Sequence, residues 1–197
     1  MTGYSARTVA HAWEASDGLP PDVAACLEQH FGRVELLLAI PEHKVPLPGG
    51  RRESQCDVFA LVPTPSQVVA CAIEGKVDEP FGPTLAEWMA SPSEWKRERL
   101  AYIQGILSLK GELDGGVRYQ LLHRTASAVV EAQRFLTGAA AMIVHSFSPE
   151  RRWFEDYARF VQLFGPAPAP ESTTVEIPCG RRLLLGWAAG DQAYRLR

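Results

Sequence analysis

Along this chain the spacing of apolar residues switches between helical and strand-like several times, and the switches mark out its elements. Residues 5–15 and 21–31 have helix-forming content and are separated by Asp17-Gly18-Leu19-Pro20, which predicts two short helices. Val34 to Ile40 is then an apolar run of strand length, ended by Pro41, and a turn-rich loop from Lys44 to Arg52 follows with Pro46, Pro48, Gly49 and Gly50. Asp57–Val62 and Gln67–Lys76 are β-branched and apolar, and Pro63-Thr64-Pro65-Ser66 between them is a turn by composition, so the pair reads as a hairpin. Both runs are apolar on both faces, as in central strands covered on two sides.

Beyond the loop from Asp78 to Pro83 the period is helical. Ser91-Pro92-Ser93-Glu94 has the form of a capping box with proline at the first helical position, and predicts a helix to about Leu109. A longer helix is predicted from Arg118 to about Leu136, then a small apolar strand from Ala139 to His145. A further helix starts at Ser148-Pro149, and its Trp153, Phe154, Tyr157, Phe160, Val161 and Phe164 fall on one face, a stripe suited to core packing. Pro166 to Pro170 reads as a linker, followed by two edge-like strands, Thr173–Ile177 and Arg182–Trp187. No internal repeat interrupts this order, and the layout is α/β with a mixed sheet.

Composition narrows the classes. The chain has 197 residues, 46% hydrophobic and 22% charged, enough for one domain with a full core. Its formal net charge of −3 excludes a uniformly basic nucleic-acid clamp but leaves room for a local basic face. The N-terminal residues have no basic segment followed by a continuous apolar stretch, and runs such as Val68–Ile73 are too short to span a bilayer. No membrane association and a cytoplasmic location are therefore expected. Cys26, Cys56, Cys71 and Cys179 form no C-x-x-C pair, so they read as small buried hydrophobes and not as zinc ligands.

The hairpin carries the candidate chemistry. If its turn links Val62 directly to Gln67, Asp57 lies opposite Ala72 with Glu74 as its diagonal neighbour, alpha carbons roughly 7–8 Å apart. Side chains alternate along a strand, so Asp57, Ala72, Glu74 and Lys76 would share a face. Two carboxylates there repel one another and are costly to bury, and a divalent cation between them resolves both problems. Lys76 could then orient an attacking water or stabilise charge developing on a phosphate. The alternative is a solvated strand end, with Asp57 as a turn cap. On the helix from Arg118, residues Gln120, Arg124, Ser127 and Glu131 make one polar stripe, facing either this site or solvent. No nucleophile elbow, P-loop or dinucleotide-binding fingerprint is present.

The Asp57 to Glu74-Gly75-Lys76 interval and the αβββαβ order resemble the PD-(D/E)XK nuclease superfamily. The stretches SQCDVFAL, EGKVDEPFGPTLAEW, RYQLLHRTASAVVEAQRF and MIVHSFSPE look like an uncharacterised bacterial family associated with it. The resemblance runs from Gly3 to about Gly165. It implies a restriction-endonuclease-like core over residues 1–165, with the linker and C-terminal β-hairpin of residues 166–197 appended to the same domain. It also implies Asp57, Glu74 and the Gly75 carbonyl as ligands of Mg²⁺ (or Mn²⁺), and Lys76 as the catalytic lysine. Gln120 is implied as a further catalytic residue, with His123 and Arg124 as substrate contacts and Glu14 as a third carboxylate. Cys56 stands where the superfamily's name-giving proline would be.

The function expected on these grounds is metal-dependent phosphodiester hydrolysis, with nucleic acid as the partner. Phosphate contacts would come from Arg51-Arg52, Lys96-Arg97, Arg118 with Arg124, and Arg151-Arg152. The rivals are an inactive nuclease-fold interaction or regulatory protein, and a homodimeric scaffold that uses the aromatic helix from Trp153 to Phe164 as its dimer face.

Overall fold

A computed structural model describes residues 4–166, 171–178 and 180–196. Two helices come first, α1 (Tyr4–Glu14) and α2 (Pro21–Phe31), the second with proline at its first position and Gly32 at its C-terminal end. Strand β1 (Leu38–Pro41), a short pair β2 (Lys44–Val45) and β3 (Ser54–Gln55), and the hairpin β4 (Val58–Pro63) and β5 (Val68–Lys76) follow. Helices α3 (Leu85–Met89), α4 (Glu94–Leu107) and α5 (Tyr119–Arg134) lead to β6 (Ala139–Ser146) and α6 (Phe154–Val161). Strands β7 (Ser172–Glu176) and β8 (Arg182–Ala189) complete the sheet.

The result is a mixed α/β fold on a six-stranded sheet of order β1-β4-β5-β6-β8-β7. Strands β1, β4 and β5 are antiparallel neighbours, β5, β6 and β8 are parallel, and β7 returns antiparallel to β8. Alternation along the strands builds two apolar cores. On one face Phe59, Leu61, Ala70, Ala72, Met142, Val144 and Leu185 meet Leu121, Leu122 and Ala126 of α5 and Tyr157 and Phe160 of α6. On the other, Ala60, Cys71, Ile73, Ile143 and Leu184 meet Val9 and Ala12 of α1 and Val23 and Leu27 of α2. Every residue of β6 is buried, as a central parallel strand covered on both faces requires.

Several boundaries differ from the sequence expectation. The hairpin turn lies one residue later, because the Thr64 backbone N–H and hydroxyl both donate to the Gln67 carbonyl, each at 2.8 Å. Pro63 therefore stays in β4 opposite Val68, and the register shifts by two residues, so that Val58 faces Ile73. The capping box before α4 is not formed: Ser93 is the N-cap, its hydroxyl accepting from Lys96 N–H. A complete capping box instead opens α3, between Thr84 and Glu87. Strand β8 is an interior strand, not an edge, while the expected linker lies mostly outside the described residues. The aromatic stripe is spent on the protein's own core, where Tyr157 and Phe160 are fully buried. Cys26, Cys56 and Cys71 are buried free thiols, and Cys179 lies outside the described residues. Among the described residues no helix is long and apolar enough to cross a membrane.

Candidate active site

The site lies where β4 leaves its neighbour. The β4–β5 ladder ends at Val58–Ile73, whereas β5 runs on beside β6 through Glu74–Val144, Gly75–His145 and Lys76–Ser146. A notch therefore opens beside the last three residues of β5. Asp57 fills it. Its N–H donates to the Ile73 carbonyl at 3.1 Å, and its own carbonyl accepts from Glu42 N–H at 2.9 Å. Backbone polar groups point alternately to either side of a strand, so the Gly75 N–H and carbonyl face this notch as the Ile73 carbonyl does. With no strand opposite, the Gly75 N–H donates to Asp57 Oδ2 at 2.7 Å. Gly75 is required sterically: a Cβ there would stand 2.2 Å from Val9 Cγ2 on α1 and 3.2 Å from Asp57 Oδ2.

Glu74, one residue before Gly75, points away from α1 and lies under α5. The end of β5 is not solvated, since Glu74 is 3% and Lys76 4% exposed. Glu74 Oε1 accepts from Lys76 Nζ at 3.1 Å and from Gln120 Nε2 at 2.6 Å, and Oε2 accepts from Arg124 Nε at 2.6 Å. Gln120 and Arg124 are one helical turn apart, which places both donors on the same carboxylate. Lys76 Nζ also stands 5.1 Å from the centre of the Phe81 ring. Two cations, Lys76 and Arg124, thus hold the buried Glu74 carboxylate, as buried charge requires.

Asp57 is the strained member. Burial, reinforced by the Glu74 charge, pushes its carboxyl from 3.8 up to about 7, against the opposing pull of the Gly75 N–H, Lys76 and Arg124. His123, one residue before Arg124, is held well below its ordinary value by burial and by Arg124 and Arg99, and is therefore neutral. Ser54 Oγ accepts from Arg124 Nη1 at 3.2 Å and lies 2.8 Å from His123 Nδ1. The Ser54 hydroxyl also donates to the His123 carbonyl at 3.3 Å.

The structure therefore brings Glu74, Lys76, Gln120 and Arg124 into one hydrogen-bonded cluster. Asp57 and Gly75 are joined beside it, and His123 is linked through Ser54. Glu14 is exposed, on a helix packed against the other face of the sheet. Ser54 was not foreseen, because its role depends on β3 lying against α5. The other cationic residues are mostly engaged locally: Arg118 pairs with Asp156, Arg151 with Glu171, Arg152 with Glu150, and Lys96 donates to the Trp88 and Ser91 carbonyls. Arg51 and Arg52 have no carboxylate partner among the described residues. His145 is fully buried, its Nε2 2.5 Å from Asp22 Oδ2.

As a cation site the cluster offers only oxygen donors, two carboxylates and a backbone carbonyl, the set that suits Mg²⁺ or Mn²⁺. Among the described residues no group of three or more His, Cys, Asp and Glu side chains could hold a metal ion, so further ligands would be water or substrate. Gln120 Oε1 is buried without a hydrogen-bond partner, an acceptor free to receive a hydrogen bond from such a water.

Fold and site together define a mixed α/β protein with a buried cluster of acidic and basic side chains at the carboxyl end of a central strand. The chain belongs to a family described as a domain of unknown function (DUF6946), whose model matches residues 1–192. No curated protein and no solved structure matches it.

Proposed function

We propose that this protein is a metal-dependent phosphodiesterase of the PD-(D/E)XK nuclease type, acting on nucleic acid. The observation that carries the reading is the notch at the end of β4, where the Asp57 carboxylate and the Gly75 backbone meet beside Glu74 and Lys76. Asp57, Glu74 and the Gly75 carbonyl would hold Mg²⁺ or Mn²⁺. Once bound, such an ion neutralises phosphate charge and activates a water. Lys76 has the reach and charge to stabilise a phosphate oxygen, exchanging its bond to Glu74 for one to substrate. Gln120 orients the water through its unpartnered Oε1, and Arg124 keeps the Glu74 carboxylate aligned. The superfamily assignment and the cytoplasmic location belong to this same reading.

One observation favours a second reading, a nuclease-fold protein that binds without cutting. Three donors already occupy the Glu74 carboxylate, so a cation must compete with Lys76, Gln120 and Arg124 for it. Incubation of the purified protein with single-stranded and duplex DNA and RNA, with Mg²⁺ or Mn²⁺, separates the two. Cleavage that is lost in both Glu74→Gln and Lys76→Met supports the phosphodiesterase. Folded protein that cuts none of these substrates, or cleavage that survives both substitutions, refutes it.

A further inference from the structure

Beside the cluster around Glu74 lies a cavity of about 850 Å³, which Ser54 and His123 line on the near side. The loop from Gly49 to Ser54 forms one side, and α3, α4 and the start of α5 form the other. Its apolar surface is aromatic. Trp88 and Tyr119 are stacked with ring centres 3.9 Å apart and planes within 9°, and Trp95 stands edge-on to Trp88 at 6.1 Å. Trp95 is 45% exposed, and Lys96 Nζ stands 5.7 Å from its ring centre and 5.4 Å from that of Trp88. Gly50 lies against this indole, where a Cβ would stand 3.0 Å from the ring.

The polar lining is cationic. Arg99 is buried and donates to four backbone carbonyls, those of Leu47, Pro48, Gly50 and Arg52, and no carboxylate pairs with it among the described residues. It staples the loop in place while leaving its charge uncompensated. Arg51 and Arg52, exposed on that loop, also lack ion pairs among the described residues, and Glu53 is an acidic residue of the same lining. Ser54 and His123 form the wall shared with the catalytic cluster: both contact Arg124, which holds Glu74.

Aromatic faces together with unpaired guanidinium groups suit a flat ring carrying a phosphate. A sugar would also stack on an indole, but a neutral sugar brings no charge to match three arginines. A base within a duplex has both faces covered by its neighbours and cannot stack on protein. We infer that this cavity takes one unpaired nucleotide of a single-stranded nucleic acid, its base against Trp95 and Trp88 and its phosphates on Arg51 and Arg52. The inference deepens the phosphodiesterase reading and rests on it for the claim that this strand is the substrate.

Binding is measured without catalysis, by fluorescence anisotropy of short labelled oligothymidylate and oligouridylate in EDTA, against a duplex of equal length. The single strands bind the wild type at least about tenfold more tightly than the duplex. Trp95→Ala weakens binding by about 5- to 150-fold, the range for loss of one base stack. The double variant Arg51→Ala/Arg52→Ala flattens the dependence of log affinity on log salt by about 1.4, for two phosphate contacts. Both variants alter exposed side chains, so folding is retained and is checked by circular dichroism. Single strands that do not bind, a duplex that binds equally well, or wild-type affinity and salt slope in these variants would overturn the inference. Cleavage that needs Glu74 while Trp95→Ala binds normally would sink the cavity alone. Strand binding through Trp95 with no cleavage in Mg²⁺ or Mn²⁺ would sink the phosphodiesterase alone.

Discussion

Replacing Asp57 by asparagine tests the electrostatics of the notch without disturbing its shape. The Asp57 carboxyl is raised from 3.8 to about 7, so the folded protein holds this proton more tightly than the unfolded chain does. The unfolded chain releases the proton first as pH rises, so stability falls between about pH 4 and pH 7 and levels off above. The span is about three pH units, and at about 1.4 kcal/mol per unit the full cost is on the order of 4 kcal/mol. Partial contact with solvent reduces this to about 2–3 kcal/mol. Asparagine keeps an oxygen to accept the Gly75 N–H but carries no charge, and so escapes the cost. Asp57→Asn should therefore be more stable than the wild type at pH 8 in EDTA by about 2–3 kcal/mol, or about 5–10 °C in Tm. The gain should shrink steadily towards pH 4. Urea and thermal unfolding of both proteins from pH 4 to pH 8 measure it. A variant no more stable at pH 8, or a difference that does not change with pH, would show that the notch does not burden this carboxylate.

Two further predictions concern the scaffold around the site. Gly75→Ala should cost about 1–3 kcal/mol or more, because the new methyl meets Val9 Cγ2 at 2.2 Å; Val9→Ala in the same chain should recover part of the loss, and chemical denaturation shows whether it does. Arg124→Met should cost about 3–5 kcal/mol by leaving the buried Glu74 with one cation fewer, and a double-mutant cycle with Glu74→Gln should give a coupling of about 1–3 kcal/mol. A coupling near zero would mean that Arg124 does not hold Glu74.

Much of the fold is visible in local patterns. The helices α1 and α2, the hairpin strands, α5 and β6 all have the period of their class, and each lies close to where that period puts it. The register of the hairpin does not, because it turns on the Thr64 hydroxyl and N–H closing on Gln67, a bond that composition does not reveal. The interior position of β8 was hidden for a related reason. Its parallel partner β6 is distant in sequence, and α2 packs so closely over it that a Cβ at Gly186 would stand 2.6 Å from Cys26 Sγ. In the site, Gln120 and Arg124 could be read from their helical spacing, and Glu74 and Lys76 from their place at a strand end. That Asp57 bends into a notch and grips the Gly75 N–H could not, since it follows from where β4 stops. The cavity was equally hidden, because Trp88, Trp95, Tyr119 and Arg51 come from four separate segments.

Asp57 and Glu74 are proposed to share one divalent cation at the end of β5. Electron paramagnetic resonance of Mn²⁺ titrated into the metal-free protein tests it most directly. One site should be lost in both Asp57→Asn and Glu74→Gln, and Mg²⁺ should compete for it. Absence of such a site in the folded wild type, or unchanged Mn²⁺ binding in either variant, would show that the two carboxylates do not share a cation.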